Sequence, residues 1–89
     1  MATDARASQQ AQADRLRHAQ GLGRAIATLR ERAQLRQGDI PGLSSRQLRR
    51  LEQGEFIPRV ATLEKLAAAH RTSLAGYLDG LAGLVGQRI

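Results

Sequence analysis

The first feature of this sequence is a shortage of cysteine and aromatic residues. Its 89 residues include no cysteine, no tryptophan, one phenylalanine and one tyrosine. Without cysteine, the chain can form no disulfide, no thiolate metal site and no thiol nucleophile. With so few aromatic residues, the core must be built from Leu, Ala, Ile and Val, a composition that favours packed helices over a sheet. We therefore expect an all-α fold.

Long apolar runs are also missing. Nowhere do about 18 apolar residues follow one another, as a membrane span would require, and the first residues lack the apolar segment of a secretory signal. Together with the absence of cysteine, this predicts a soluble, cytoplasmic protein with no membrane partner. The length and the 42% apolar content suit one compact domain.

Basic residues outnumber acidic residues by 14 to 8, which gives a formal net charge of +6. The excess is concentrated in residues 21–60, which hold eight arginines against four acids. A basic surface concentrated on one section of a small domain is typical of proteins that bind polyanions. From charge alone, a generally solvated basic surface is an equally good interpretation.

Hydrophobic spacing predicts five short helices, the first two of which lie before residue 42. Residues 1–19 form helices readily but lack an apolar stripe, so they are interpreted as a flexible or helical arm. The glycines of GLGR at 21–24 are interpreted as part of a helix start. One face of this first helix is marked by Leu22, Ile26, Leu29 and Ala33. A second helix, beginning near Gln37, must be short because Pro41 and Gly42 follow it.

The stretch SSRQLRRLEQG at 44–54 has signals for both ends of a third helix. Ser44 is a good N-cap, and Gln47 three residues later completes a capping box. Gly54 is placed to adopt the left-handed conformation that closes a helix. These signals predict a helix over about 45–53.

Two further stripes predict the remaining helices. The fourth presents Val60, Leu63, Leu66 and Ala67. The fifth is capped by Ser73 and presents Leu74, Tyr77, Leu78 and Leu81. We take 20–82 as the folded domain. Residues 83–89 are an apolar tail that either folds back onto the core or makes a dimer contact.

The predicted third helix has two distinct sides. At about 100° per residue, Leu48, Leu51 and Glu52 share the side that faces the core. The opposite side is long, hydrogen-bonding and cationic; it is formed by Arg46, Arg50 and Gln53, with Ser45 and Arg49 at its margins. Arginine can bind guanine bidentately or grip a phosphate, so this side suits a DNA groove. A solvated helix face is the alternative.

Four segments in a fixed order carry a family resemblance: LRERAQLRQ at 29–37, LSSRQLRRLEQG at 43–54, PRVATLEKLAAA at 58–69 and SLAGYL at 73–78. Together they resemble the lambda-repressor-like helix-turn-helix family, the Cro/CI or xenobiotic-response-element type, over about two thirds of the chain. The resemblance implies a compact domain of four or five helices whose third helix enters the major groove of operator DNA. It also implies a transcriptional repressor or similar regulator that acts as a homodimer on a palindromic operator.

The resemblance implies a role for each matching residue. Arg30 and Glu52 match a structural ion pair between the first and third helices. The base-reading positions are Ser45, Arg46 and Arg50. Positions that contact the DNA phosphates are Gln37, Arg49, Gln53 and Arg59. Two features depart from the family pattern: the GDIP segment after Gln37 shortens the second helix, and Glu55 places an acid where the family often has a basic phosphate contact.

Other chemistry has little support in the sequence. His18 and His70 lack a local metal-ligand pattern, and His70 is expected to pack on the core or at the negative end of its helix. No serine motif suggests a nucleophile, so we expect no enzyme activity, no metal and no cofactor. Two alternatives to sequence-specific binding of double-stranded DNA remain: a protein-interaction module such as an antitoxin, and nonspecific nucleic-acid binding.

Overall fold

The computed structural model describes residues 18–86, and within this range it contains helices and no strands. The helices are α1 over 18–32, a 3-10 turn at Gln37–Asp39, α2 at Ser45–Glu52, α3 at Val60–Ala69 and α4 at Leu74–Gly86. The prediction of an all-α fold is confirmed. Most of the predicted arm, residues 1–17, lies outside the described residues.

The core gathers one or more side chains from every helix and one from a loop. Its fully buried members are Ile26, Ile40, Leu48, Leu51 and Leu66. Leu22 and Leu29 pack against this cluster, as the stripe of the first helix predicts, whereas Ala33 is exposed just past the end of α1. Ile40 was not predicted as a core residue because it lies in the Pro- and Gly-containing segment between the 3-10 turn and α2, outside any helical stripe. Ile40 is nevertheless only 2% exposed. This loop side chain therefore anchors the 3-10 turn, which stands where the short second helix was predicted.

Both predicted ends of α2 are confirmed. Ser44 Oγ accepts a hydrogen bond from the Gln47 backbone N–H at 3.1 Å, and Gln47 Oε1 accepts one from the Ser44 N–H at 3.1 Å. At the other end, Gly54 has a φ of 79°. The Gly54 N–H donates to the Leu51 carbonyl and the Glu55 N–H to the Arg50 carbonyl. This pair of bonds is a Schellman motif, which satisfies carbonyls that a helix end leaves free.

α1 starts earlier than predicted and lies directly against the end of α2. Residues 18–20 are already helical, and Ala19 is buried, so the GLGR glycines lie inside α1 and their interpretation as a helix start is wrong. A β-carbon on Gly23 would lie 2.6 Å from the carbonyl oxygens of Leu51 and Glu52. The absence of a side chain at this position therefore lets the two backbones touch.

α3 and α4 complete the core, with differences from the predicted stripes. Leu66 and Ala67 are buried, but Val60 is 60% exposed because it occupies the first turn of α3, beyond the edge of the core. In α4, Tyr77 and Leu81 are buried, whereas Leu78 is 41% exposed. Leu78 lies about 100° around the helix from Tyr77, outside the narrow strip that α4 buries.

α4 continues across the predicted boundary between 82 and 83. Ser73 caps it, since Ser73 Oγ accepts a hydrogen bond from the Gly76 N–H at 3.0 Å. Leu84 packs against the core and Val85 is 41% exposed. The first residues of the tail thus extend α4 along the core, and residues 87–89 lie outside the described range.

His70 ends α3 and packs on α4. Its ring centroid lies 5.1 Å from that of Tyr77, with the two planes tilted by 40°. Burial lowers the pKa of His70 and raises that of Tyr77. His70 therefore packs on the core, as expected from the sequence.

Candidate nucleic-acid interface

The outward side of α2 is an exposed, arginine-rich surface. Leu48 and Leu51 anchor the helix and are 0% and 1% exposed. The polar residues that point away from them are all exposed: Ser45, Arg46, Arg49, Arg50 and Gln53. We call these five residues the outer face of α2. Because the anchoring leucines lie on the opposite side, the outer face can meet another molecule without disturbing the core.

The charge near the outer face is mostly positive. Three of its five members are arginines, and Arg59, the N-cap residue of α3, is an exposed arginine beyond the following loop. Glu55 is the exposed acid closest to it in the sequence, and its Oε1 lies 3.4 Å from Arg50 Nε. The arrangement can bind a polyanion through several guanidinium groups at once.

Arg30 of α1 and Glu52 of α2 are in bidentate contact behind the outer face. Arg30 Nε donates to Glu52 Oε2 at 2.6 Å, and Arg30 Nη2 donates to Glu52 Oε1 at 3.1 Å. The two side chains are 13% and 7% exposed. Hydrogen bonding to the Glu52 carboxylate raises the pKa of Arg30, so the guanidinium remains charged. The structure thus brings together the two residues that the resemblance pairs.

Two further groups join this ion pair. Gln37 Nε2 donates to Glu52 Oε1 at 2.9 Å, and Arg30 Nη1 donates to the Leu35 carbonyl at 2.9 Å. The network therefore connects α1, the segment after it, the 3-10 turn and α2. Because the Glu52 carboxylate accepts three of these four bonds, it is the centre of a polar cluster that sets how α2 is rotated against α1.

Gln37 is the one proposed phosphate-contact residue that points partly inward. One N–H of its amide donates to the Glu52 carboxylate. The side chain is half-buried at the start of the 3-10 turn. An amide nitrogen has two N–H donors, so a second donor remains for another acceptor. This inward bond was not predicted, since it depends on how the shortened second helix packs against α2.

Another unpredicted feature is the backbone at the end of α1. Gln34 has a φ of 59°, and the following Leu35 N–H donates to the Arg30 carbonyl. This turn presents the Leu35 carbonyl to Arg30 Nη1. A left-handed residue is usually signalled by glycine or asparagine, and glutamine at this position gave no such signal.

Comparison with known proteins identified no matching family model, curated protein or solved structure. Among residues 18–86, none of the helices combines the length and apolarity needed to cross a bilayer. The same residues contain no cluster of three or more His, Asp or Glu side chains arranged to hold a metal ion.

Proposed function

We propose that this chain is a lambda-repressor-like, sequence-specific DNA-binding protein that acts as a transcriptional repressor or similar regulator. In this proposal α2 enters the major groove, where Ser45, Arg46 and Arg50 contact base edges. Phosphate contacts from Gln37, Arg49, Gln53 and Arg59 hold the helix in register.

The observation that carries the proposal is the two-sided construction of α2. Its inner side is held by Leu48, Leu51 and the Arg30–Glu52 pair, and its outer face presents guanidinium groups to solvent. An α-helix fits the width of the major groove, and arginine can bind guanine O6 and N7 with two hydrogen bonds. A helix fixed against rotation favours base reading, because its side chains meet the groove in one orientation.

A homodimer would extend this proposal to a palindromic operator. Two copies of α2 separated by about one duplex turn, near 34 Å, would read equivalent half-sites. The resemblance supports this arrangement.

Selection from random duplex DNA, followed by binding measurements, tests the proposal. We expect a preferred sequence with two related half-sites. Arg46→Ala and Arg50→Ala should each reduce discrimination between the selected and a scrambled duplex by about 1 to 3 kcal/mol. Arg32→Ala is the matched control, because Arg32 is an exposed arginine that belongs to α1 and not to the outer face of α2. If both outer-face variants discriminate as well as the wild type, α2 is not the reading helix.

The salt dependence of binding distinguishes base-specific recognition from nonspecific electrostatic attraction to nucleic acid. Affinity should fall steeply with rising salt for every duplex, since each neutralised phosphate releases counterions. The preference for the selected sequence should persist. Equal affinity for selected duplex, scrambled duplex and single strands would instead indicate nonspecific nucleic-acid binding.

A protein-interaction module is the second candidate function, and one surface favours it. Phe56, Ile57 and Val60 are 40%, 52% and 60% exposed, and all three follow α2 closely in the chain. Where exposed apolar side chains form a contiguous patch, the patch marks a protein contact. Loss of partner binding in Ile57→Ser, with DNA discrimination unchanged, would support this second function.

A further inference from the structure

The turn that ends α2 brings Arg50 and Glu55 together through the backbone. The Glu55 N–H donates to the Arg50 carbonyl at 3.1 Å, with Gly54 in the left-handed conformation between them. In a Schellman motif these two positions are side-chain neighbours, and they often make an apolar contact. Here they carry a guanidinium and a carboxylate, and Arg50 Nε donates to Glu55 Oε1 at 3.4 Å. The fold of the turn thus places the two charges side by side.

The packing of α1 holds this turn in place. Gly54 is buried, and a β-carbon at this position would lie 2.6 Å from the Gln20 Cα. Its φ of 79° is one that glycine adopts without steric cost. Since the neighbouring helix fixes the turn, it also fixes where the Glu55 backbone lies relative to α2.

Glu55 contacts the Nε side of the Arg50 guanidinium, which determines which donors stay available for DNA. The contact uses Arg50 Nε, and no group among residues 18–86 binds Nη1 or Nη2. The Nη1 and Nη2 end can make the bidentate contact to guanine. A carboxylate at Nε therefore restrains the guanidinium while leaving this end available.

We propose that Glu55 is a positioning residue for Arg50, which increases discrimination between base sequences and lowers affinity for DNA in general. This inference rests on the DNA-reading function proposed above. A free arginine side chain loses rotamer freedom when it binds, and a partner that restrains it beforehand reduces this loss. The negative charge of Glu55 also repels phosphates, and it does so at every sequence alike.

Glu55→Gln in the full chain tests the inference against the selected and scrambled duplexes, with affinities measured by fluorescence anisotropy. We expect tighter binding to the scrambled duplex. The ratio of the two affinities should fall by up to about fivefold, the range that an exposed ion pair supports. Glu64→Gln is the control, because it removes an equal charge from an exposed position of α3. Its affinity ratio should equal that of the wild type.

Three results would overturn the positioning role. The first is an affinity ratio that Glu55→Gln leaves unchanged or raises, in a variant with the wild-type thermal midpoint. The second is an equal fall in Glu64→Gln. The third is a fall in the ratio that persists when Glu55→Gln is introduced into Arg50→Ala, where no guanidinium remains to be positioned. A wild-type chain that does not discriminate at all would contradict the proposed function instead, so the two failures are distinguishable.

Discussion

Two arginine and glutamate pairs lie on opposite sides of α2 and differ in what they can contribute. The inner pair, Arg30 and Glu52, is joined at 2.6 Å, with side chains 13% and 7% exposed. The outer pair, Arg50 and Glu55, is joined at 3.4 Å, with side chains 55% and 44% exposed. Two pairs of the same chemistry therefore have different roles: the partly buried pair orients the helix, and the exposed pair orients a side chain.

The desolvation of charge explains the difference. A largely buried guanidinium depends on its carboxylate, because little water reaches its charge; the other carboxylate near Arg30 is that of the exposed Glu31, at 3.8 Å. An exposed guanidinium regains water when its partner is removed, so little free energy is lost. The inner pair should consequently dominate the stability of the domain.

The largest expected effect is that of Glu52→Ala. It leaves the Arg30 guanidinium and the Gln37 amide without their acceptor, and we expect the free energy of unfolding to fall by about 3 to 5 kcal/mol. That is a large share of the total stability of a small domain. Urea unfolding measures the change. A midpoint equal to that of the wild type would contradict the structural role of the inner pair.

The next largest effect concerns the contact between α1 and the α2 backbone. A methyl group at residue 23 would meet the Leu51 and Glu52 carbonyl oxygens, so Gly23→Ala should destabilise the domain by about 1 to 3 kcal/mol. At Gly21, in the same helix, a β-carbon meets no atom within 4 Å. Gly21→Ala should therefore stabilise by about 0.5 to 1 kcal/mol, through its higher helix propensity. Thermal unfolding of the two variants should give shifts of opposite sign; two shifts of the same sign would show that the close contact is absent.

The smallest expected effect is that of Glu55→Ala on stability. Removing the outer carboxylate should change the free energy of unfolding by less than about 1 kcal/mol, and the change should shrink in 0.5 M salt, which screens exposed charges. The loss in Glu52→Ala should largely persist under the same conditions. A loss in Glu55→Ala as large as that in Glu52→Ala would remove the distinction between the two pairs.

Local signals in the sequence were sufficient to predict α2. Ser44, Gln47 and Gly54 each act on backbone groups within a few residues, so their meaning does not depend on the rest of the fold. The angular spacing of Arg46 and Arg50 against the leucines also predicted which side of the helix is exposed.

The features that the sequence did not predict depend on distant contacts. Ile40 is buried in the same core cluster as Leu48 of α2 and Leu66 of α3, and the period of no single helix indicates this. Gly23 is required by the α2 backbone, more than 25 residues away in the chain. The Gln37 bond to Glu52 depends in the same way on how the 3-10 turn packs. Such contacts are fixed by tertiary packing, which the periodicity of a single helix does not encode.

We propose that the outer face of α2 reads bases, and selection from random duplex DNA with the wild type and with Arg50→Ala tests this role most directly. We expect the variant to lose the preference at one guanine-bearing position of each half-site and to retain the preferences elsewhere. Identical consensus sequences for the two proteins, or no consensus for the wild type, would contradict base reading by α2.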